Sequence, residues 1–85
     1  MVFMTDYGTQ LEAALATEIK IELVARDWTQ ETLAKAVGIE RATLTRYMTG
    51  KRSMPMPTFF AVAEAFGLSP RALMERAEAR IHPAE

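Results

Sequence analysis

Apolar residues recur at helical spacing along the 85-residue chain and predict five short helices. The predicted helices cover residues 9–26, 30–37, 41–48, 58–66 and 70–80. The inward face of the first is the stripe Leu11, Ala14, Leu15, Ile19 and Leu23. No long linker, repeat or low-complexity segment interrupts the pattern. The sequence therefore predicts one compact all-α domain spanning residues 1–85.

Residues typical of helix ends mark the boundaries of these helices. Thr29 is a good N-cap for the second helix, and Gly38 ends it because glycine accepts the left-handed conformation. Ser69 followed by Pro70 predicts the start of the fifth helix. Prolines at 55 and 57 place residues 54–57 in the loop before the fourth helix.

The stretch 29–50 combines two short helices and a glycine turn. In the second of them Leu44, Tyr47 and Met48 share an inward face. The opposite face carries two guanidinium groups, two hydroxyls and a methyl group, from Arg41, Ala42, Thr45, Arg46 and Thr49. A helix with such an outer face, following a tight turn, is typical of a helix-turn-helix unit whose second helix enters the DNA major groove.

The segment TQETLAKAVGIERATLTRYMTGKR resembles the helix-turn-helix of the Cro and lambda-repressor superfamily, the XRE-type regulators. AVAEAFGLSPRAL, residues 61–73, is similar to the fourth helix and the start of the fifth in that family. The resemblance implies a five-helix lambda-repressor-like domain that binds double-stranded DNA. It also implies a repressor of the phage-immunity, lysogeny or Cro kind, acting as a homodimer on a palindromic operator. An antitoxin that regulates its own promoter and a protein-interaction module with the same fold are the alternatives.

The resemblance assigns roles to side chains of the helix-turn-helix. Residues expected to contact bases are Arg41, Ala42, Thr45 and Arg46. Residues expected to contact phosphates are Thr29, Gln30, Thr43, Lys51 and Arg52. An arginine fork matches guanine O6 and N7, but phosphate contacts remain the alternative for Arg41 and Arg46. In a homodimer, we expect Leu73, Ala77 and Ile81 to form the contact between the two subunits. The alternative is that these residues complete the core of the single chain.

The distribution of charge supports a nucleic-acid partner although the net charge is only −1. Residues 1–31 carry a balance of −4, whereas residues 35–52 carry +4. Positive charge therefore concentrates on the predicted DNA-binding segment. The carboxylates of the first helix, Glu12, Glu18 and Glu22, are expected to form a solvated face turned away from DNA.

Glu40 departs from the family pattern, which has a small hydroxyl or amide residue before the recognition helix. Glutamate is a poorer N-cap, and phosphates would repel it. Two alternatives follow: pairing with a neighbouring arginine, or accepting a hydrogen bond from cytosine N4.

Composition argues against an enzyme, a metalloprotein or a membrane protein. The chain has no cysteine, and His82 is its only histidine, so neither a metal shell nor a nucleophile–base pair can be assembled. The four glycines are too far apart for a phosphate-binding loop. No apolar run is long enough for a membrane span. We therefore expect a cytoplasmic protein with no cofactor and no small-molecule ligand.

Overall fold

The computed structural model describes residues 6–82, which form five α-helices. In chain order they are α1 (Tyr7–Arg26), α2 (Gln30–Val37), α3 (Arg41–Met48), α4 (Met56–Phe66) and α5 (Pro70–Ile81). No strand occurs within this described range. The all-α, five-helix prediction is confirmed, and α2 and α3 have the predicted bounds.

Three of the helices begin at a side-chain cap. The side chains of Asp6, Thr29 and Ser69 each accept a hydrogen bond from the backbone N–H three residues later, at 2.9, 3.1 and 3.0 Å. These bonds satisfy donors that the first helical turn leaves without a partner. Gly38 ends α2 with φ at 79°, in the left-handed region that glycine occupies without steric cost.

The start of α4 differs from the prediction. The helix begins at Met56, two residues before Thr58, and Pro57 lies in its first turn. A proline is tolerated there because the N–H that it lacks has no partner within the helix. Of the predicted loop 54–57, Met54 and Pro55 lie outside the helix, and Pro55 has extended backbone at the N-cap position.

Each helix contributes one large, fully buried side chain to the core. These are Ile19, Leu33, Leu44, Val62 and Leu73, from α1 to α5 in that order. Burying such a side chain stabilises the fold by roughly 1.5–3 kcal/mol. The core therefore holds α3 in place through Leu44 while its opposite face stays in solvent.

The prediction of a solvated acidic face on α1 is wrong for two of its three carboxylates. Glu18 and Glu22 are only 6% and 9% exposed. Glu18 accepts a hydrogen bond from Arg80, and Glu22 accepts from Arg26 and Arg76. The two carboxylates face α5 because its arginines compensate their charge. Glu12 is exposed, as predicted, and accepts from the Ser53 hydroxyl at 3.1 Å.

The C-terminal helix completes the core of the single chain. Leu73 and Ala77 are both 0% exposed and belong to the same apolar cluster as the other helices. Neither residue has exposed surface that a second subunit could contact. Of the two alternatives stated above, Leu73 and Ala77 therefore complete the core. Ile81 is partly buried against the same cluster.

None of these helices combines the length and the apolar character needed to cross a membrane, in the part of the chain that the structure describes.

Candidate nucleic-acid interface

The outer face of α3 is exposed along its whole length, as the helical pattern predicts. Leu44 and Met48 are buried, and Tyr47 is half-buried beside them. On the other side, a shallow open depression is lined by Arg41, Ala42, Thr45, Arg46, Thr49 and Lys51. This row has the donors, acceptors and methyl group that base edges in a major groove can engage.

The turn between α2 and α3 is closed by backbone hydrogen bonds. The N–H of Ile39 donates to the carbonyl of Ala34 at 3.0 Å, which satisfies an acceptor at the end of α2. The Ile39 side chain packs against the core. These contacts determine the orientation of α3 relative to α2, and they require the left-handed backbone conformation of Gly38.

A side-chain hydrogen bond also connects the two helices. The Thr45 hydroxyl donates to Oε1 of Gln30 at 3.2 Å, joining the middle of α3 to the first residue of α2. The amide oxygen of Gln30 is thereby engaged, which leaves its NH₂ group to donate to a phosphate. The sequence assigned both residues to the interface but did not indicate this bond, because the two lie 15 residues apart.

The loop that follows α3 is attached to the end of that helix. Gly50 has φ at 80°. The N–H groups of Lys51 and Arg52 both donate to the carbonyl of Arg46, at 2.9 and 3.2 Å. These bonds hold the two basic residues beside the exposed face of α3, where a phosphate contact needs them.

Ion pairing separates the basic residues into two groups. Within residues 6–82, Arg26, Lys35, Arg71, Arg76 and Arg80 each pair with a carboxylate. No such pair engages Arg41, Arg46, Lys51 or Arg52 in that range, and the only other unpaired basic residue is Lys20 on α1. Unpaired positive charge is therefore concentrated on α3 and the loop after it, where it can attract phosphates.

The remaining threonines differ in their availability. Thr29 is exposed, but its hydroxyl oxygen accepts from the N–H of Thr32, so it caps α2. Thr43 is half-buried on α3. Thr49 belongs to the outward pattern but has no predicted role. It lines the depression, and its hydroxyl donates to the carbonyl of Thr45 at 2.9 Å. Its spacing of four residues from Thr45 is the signal that places it there.

Glu40 occupies the N-cap position of α3 without capping it. Its backbone is extended, and its side chain makes no hydrogen bond to the first turn. The side chain is exposed and forms no ion pair with any residue in the range 6–82. Of the two alternatives stated for Glu40, pairing with a nearby arginine does not occur within these residues.

His82 lies far from this surface and packs on the first helix. Its ring stacks on that of Tyr7, with centroids 5.6 Å apart. The Tyr7 hydroxyl donates to the Glu78 carboxylate at 3.0 Å, and this hydrogen bond raises the pKa of the phenol above its ordinary value. No group of three or more His, Cys, Asp or Glu side chains among residues 6–82 could hold a metal ion.

The geometry on α2, α3 and the following loop is that of a helix-turn-helix DNA-binding domain. The chain belongs to the helix-turn-helix family, whose sequence pattern matches residues 19–73.

Comparison with individual proteins finds relatives among antitoxins. The chain is 33% identical over 55 residues to the antitoxin HipB of Escherichia coli K12. That alignment covers 65% of this chain and 62% of the antitoxin, so the chain spans less than two thirds of the length of this curated relative.

Two solved structures share the fold. The clp gene regulator ClgR of Corynebacterium glutamicum superposes with a TM-score of 0.78 at 19% identity, over 85% of this chain and 77% of that one. The hypothetical transcription factor NHTF from Neisseria gives a TM-score of 0.74 at 20% identity, over 99% of this chain and 96% of that one.

Proposed function

We propose that this protein is a transcriptional repressor that binds a palindromic DNA operator as a homodimer, with α3 in the major groove. The observation that carries the proposal is the exposed outer face of α3, where Arg41 and Arg46, with Lys51 and Arg52 of the next loop, form no ion pair within residues 6–82. A major groove about 12 Å wide admits one α-helix, and helix-turn-helix proteins insert the second helix of the motif.

The proposed contacts divide into base recognition and positioning. Arg46 and Arg41 present guanidinium forks for guanine O6 and N7, and Ala42 presents a methyl group for a thymine methyl. Thr45 lies between them, held by its hydrogen bond to Gln30. Gln30, Lys51 and Arg52 donate to phosphates and thereby set the register of α3 on the duplex. Thr29 and Thr43 border this phosphate-contacting row.

One recognition helix makes only a small contact with DNA. The proposed protein therefore binds as a homodimer, which uses two such helices. Two copies related by a two-fold axis place their α3 helices in successive major grooves, about 34 Å apart. Since Leu73 and Ala77 are buried, the proposed subunit contact involves other apolar side chains. Those exposed on the described surface are Tyr7, Ile21, Val24, Met56 and Phe60.

An antitoxin that represses its own promoter is the second candidate, and the resemblance to HipB favours it. Both candidates use the same DNA-binding surface. They differ in whether a toxin partner is bound as well, so co-purification with the product of an adjacent gene separates them. A role in phage immunity remains a prediction of the sequence resemblance.

Selection of bound duplexes from a random DNA pool tests the proposal. We expect a palindromic sequence to be enriched, and its affinity to fall steeply as the salt concentration rises. Placing that sequence over a promoter should then lower reporter expression when the protein is present. Folded protein that enriches no sequence at low salt would contradict DNA binding and favour a protein-interaction module.

A further inference from the structure

Glu40 is the one acidic side chain at the start of the recognition helix, and within residues 6–82 it makes neither a capping hydrogen bond nor an ion pair. Three other N-cap side chains, Asp6, Thr29 and Ser69, accept backbone hydrogen bonds at the start of their helices. Glu40 makes no such bond, although its carbonyl accepts the N–H of Leu44 at 3.1 Å in the usual way. Its contribution to the stability of α3 is therefore limited to the attraction between its charge and the positive end of the helix dipole.

Electrostatics restricts what Glu40 can do next to DNA. Its carboxylate belongs to the segment that carries Arg41, Arg46 and Lys51, and it neutralises none of them through an ion pair. A carboxylate close to phosphates is repelled by them, so phosphate contact is excluded as its role. An ionised carboxylate only accepts hydrogen bonds, and its partner on DNA must therefore be a donor on a base.

Cytosine supplies that donor in the major groove. Its N4 amino group is the usual partner of a glutamate, whereas guanine presents N7 and O6 and thymine presents O4, all of which are acceptors. Adenine N6 is the other amino donor in this groove, but it stands beside the acceptor N7, which a carboxylate cannot satisfy. A carboxylate facing guanine or thymine meets like partial charges and is left without a partner. The same side chain that binds cytosine therefore rejects two of the other three bases.

We propose that Glu40 is a specificity-determining residue that accepts a hydrogen bond from cytosine N4 at one base pair of each half-site. This inference rests on the proposed DNA-binding function. Glu40 immediately precedes Arg41, and the N-terminal residues of a recognition helix are those that contact base edges. We therefore expect the cytosine in the part of the half-site that the start of α3 faces.

Parallel selections with the wild-type protein and Glu40→Gln test this inference. The wild type should enrich cytosine at one symmetric position of the palindrome. Glu40→Gln should lower the preference for cytosine there about tenfold, equivalent to about 1.4 kcal/mol, because an amide also donates and so accepts other bases. Preferences at the remaining positions should stay unchanged.

Glu75→Gln is the matched control. Glu75 is exposed on α5 and pairs only with Arg71, so this variant changes the net charge equally at a distance from α3 in the sequence. It should leave the preference for cytosine intact. Glu40→Ser adds a hydroxyl that can cap α3, so it should fold at least as well as the wild type and still lose the preference.

The outcomes separate the inference from the proposed function. An enriched palindrome whose base preferences are the same for the wild type, Glu40→Gln and Glu40→Ser would overturn the role of Glu40 and leave the repressor proposal standing. A uniform gain in affinity on all sequences for both variants would show that Glu40 only repels phosphates. No enrichment by folded wild-type protein would overturn both proposals.

Discussion

Arg46 lies in the middle of the exposed face of α3, and its guanidinium forms no ion pair with another residue in the range 6–82. We expect Arg46→Ala to lower the affinity for the selected operator by about 1–3 kcal/mol and to relax the preference at one base pair. Competition binding with operators altered at each position measures both effects. An equal loss on every sequence would show that Arg46 contacts phosphate only.

Lys51 lies in the loop after α3, so its positive charge is next to the recognition helix and not on it. Its N–H bond to the Arg46 carbonyl fixes the backbone, while the ammonium group stays exposed and without an ion pair among the described residues. Lys51→Ala should weaken binding to all sequences alike and reduce the salt slope by about one unit. Lys35→Ala is the control, because Lys35 pairs with Glu31 at 3.9 Å. A slope that Lys51→Ala leaves unchanged would remove Lys51 from the interface.

At the scale of elements, the contact between α1 and α5 depends on carboxylates that are nearly buried. The Glu22 side chain is 12% exposed and accepts from Arg26 on α1 and from Arg76 on α5. Glu22→Ala removes the carboxylate from both guanidinium groups, although Arg26 keeps its hydrogen bond to the Phe66 carbonyl. Since Arg76 is 46% exposed and can recover water, we expect a loss of about 1–3 kcal/mol in the free energy of unfolding, below that of a fully buried pair.

Urea denaturation measures this loss as a shift of the midpoint at an unchanged slope. Glu75→Ala is the matched control, because it breaks an exposed pair with Arg71 within a single helix. It should change the stability by less than about 0.5 kcal/mol. Equal midpoints for the two variants would show that the Glu22 network does not hold α5 against α1.

The bounds of α2 and α3 and the start of α5 were predictable because their signals are local, whereas α1 and α4 each begin two residues before the predicted start. A cap such as Thr29 or Ser69 bonds to a residue three positions away, and Gly38 acts through its own backbone. The burial of Glu18 and Glu22 was not predictable in this way. Their partners Arg80 and Arg76 lie 62 and 54 residues further along the chain, and helical spacing within α1 says nothing about the face of α5.

The candidate site divides in the same way. The exposure of Arg41, Thr45 and Arg46 follows from spacing within α3, and the structure agrees with it. The hydrogen bond from Thr45 to Gln30 needs the angle between two helices, which no local pattern gives. The isolation of Glu40 likewise depends on where every arginine lies in three dimensions.

At the scale of the whole molecule, pairing of charges within the protein determines which surface is positive. The three arginines of α5 are all bound to carboxylates, two of them on α1. These pairs also engage the carboxylates, which are then not available to neutralise the basic residues of α3. A chain of net charge −1 therefore still presents a positive surface along α3 and the following loop. Such a molecule should bind DNA with one face and have modest affinity for DNA of unrelated sequence.

The salt dependence of the affinity then shows how many copies of the protein bind to one operator. Each neutralised phosphate contributes about −0.9 to the slope of log affinity against log salt concentration. With two to four basic side chains of one copy neutralising phosphates, as proposed, we expect a slope of about −2 to −4 on a half-site. Two copies on the full palindrome should double the half-site slope. Titrations on the two duplexes, with a scrambled palindrome as control, measure this ratio, and equal slopes would show that a single copy binds.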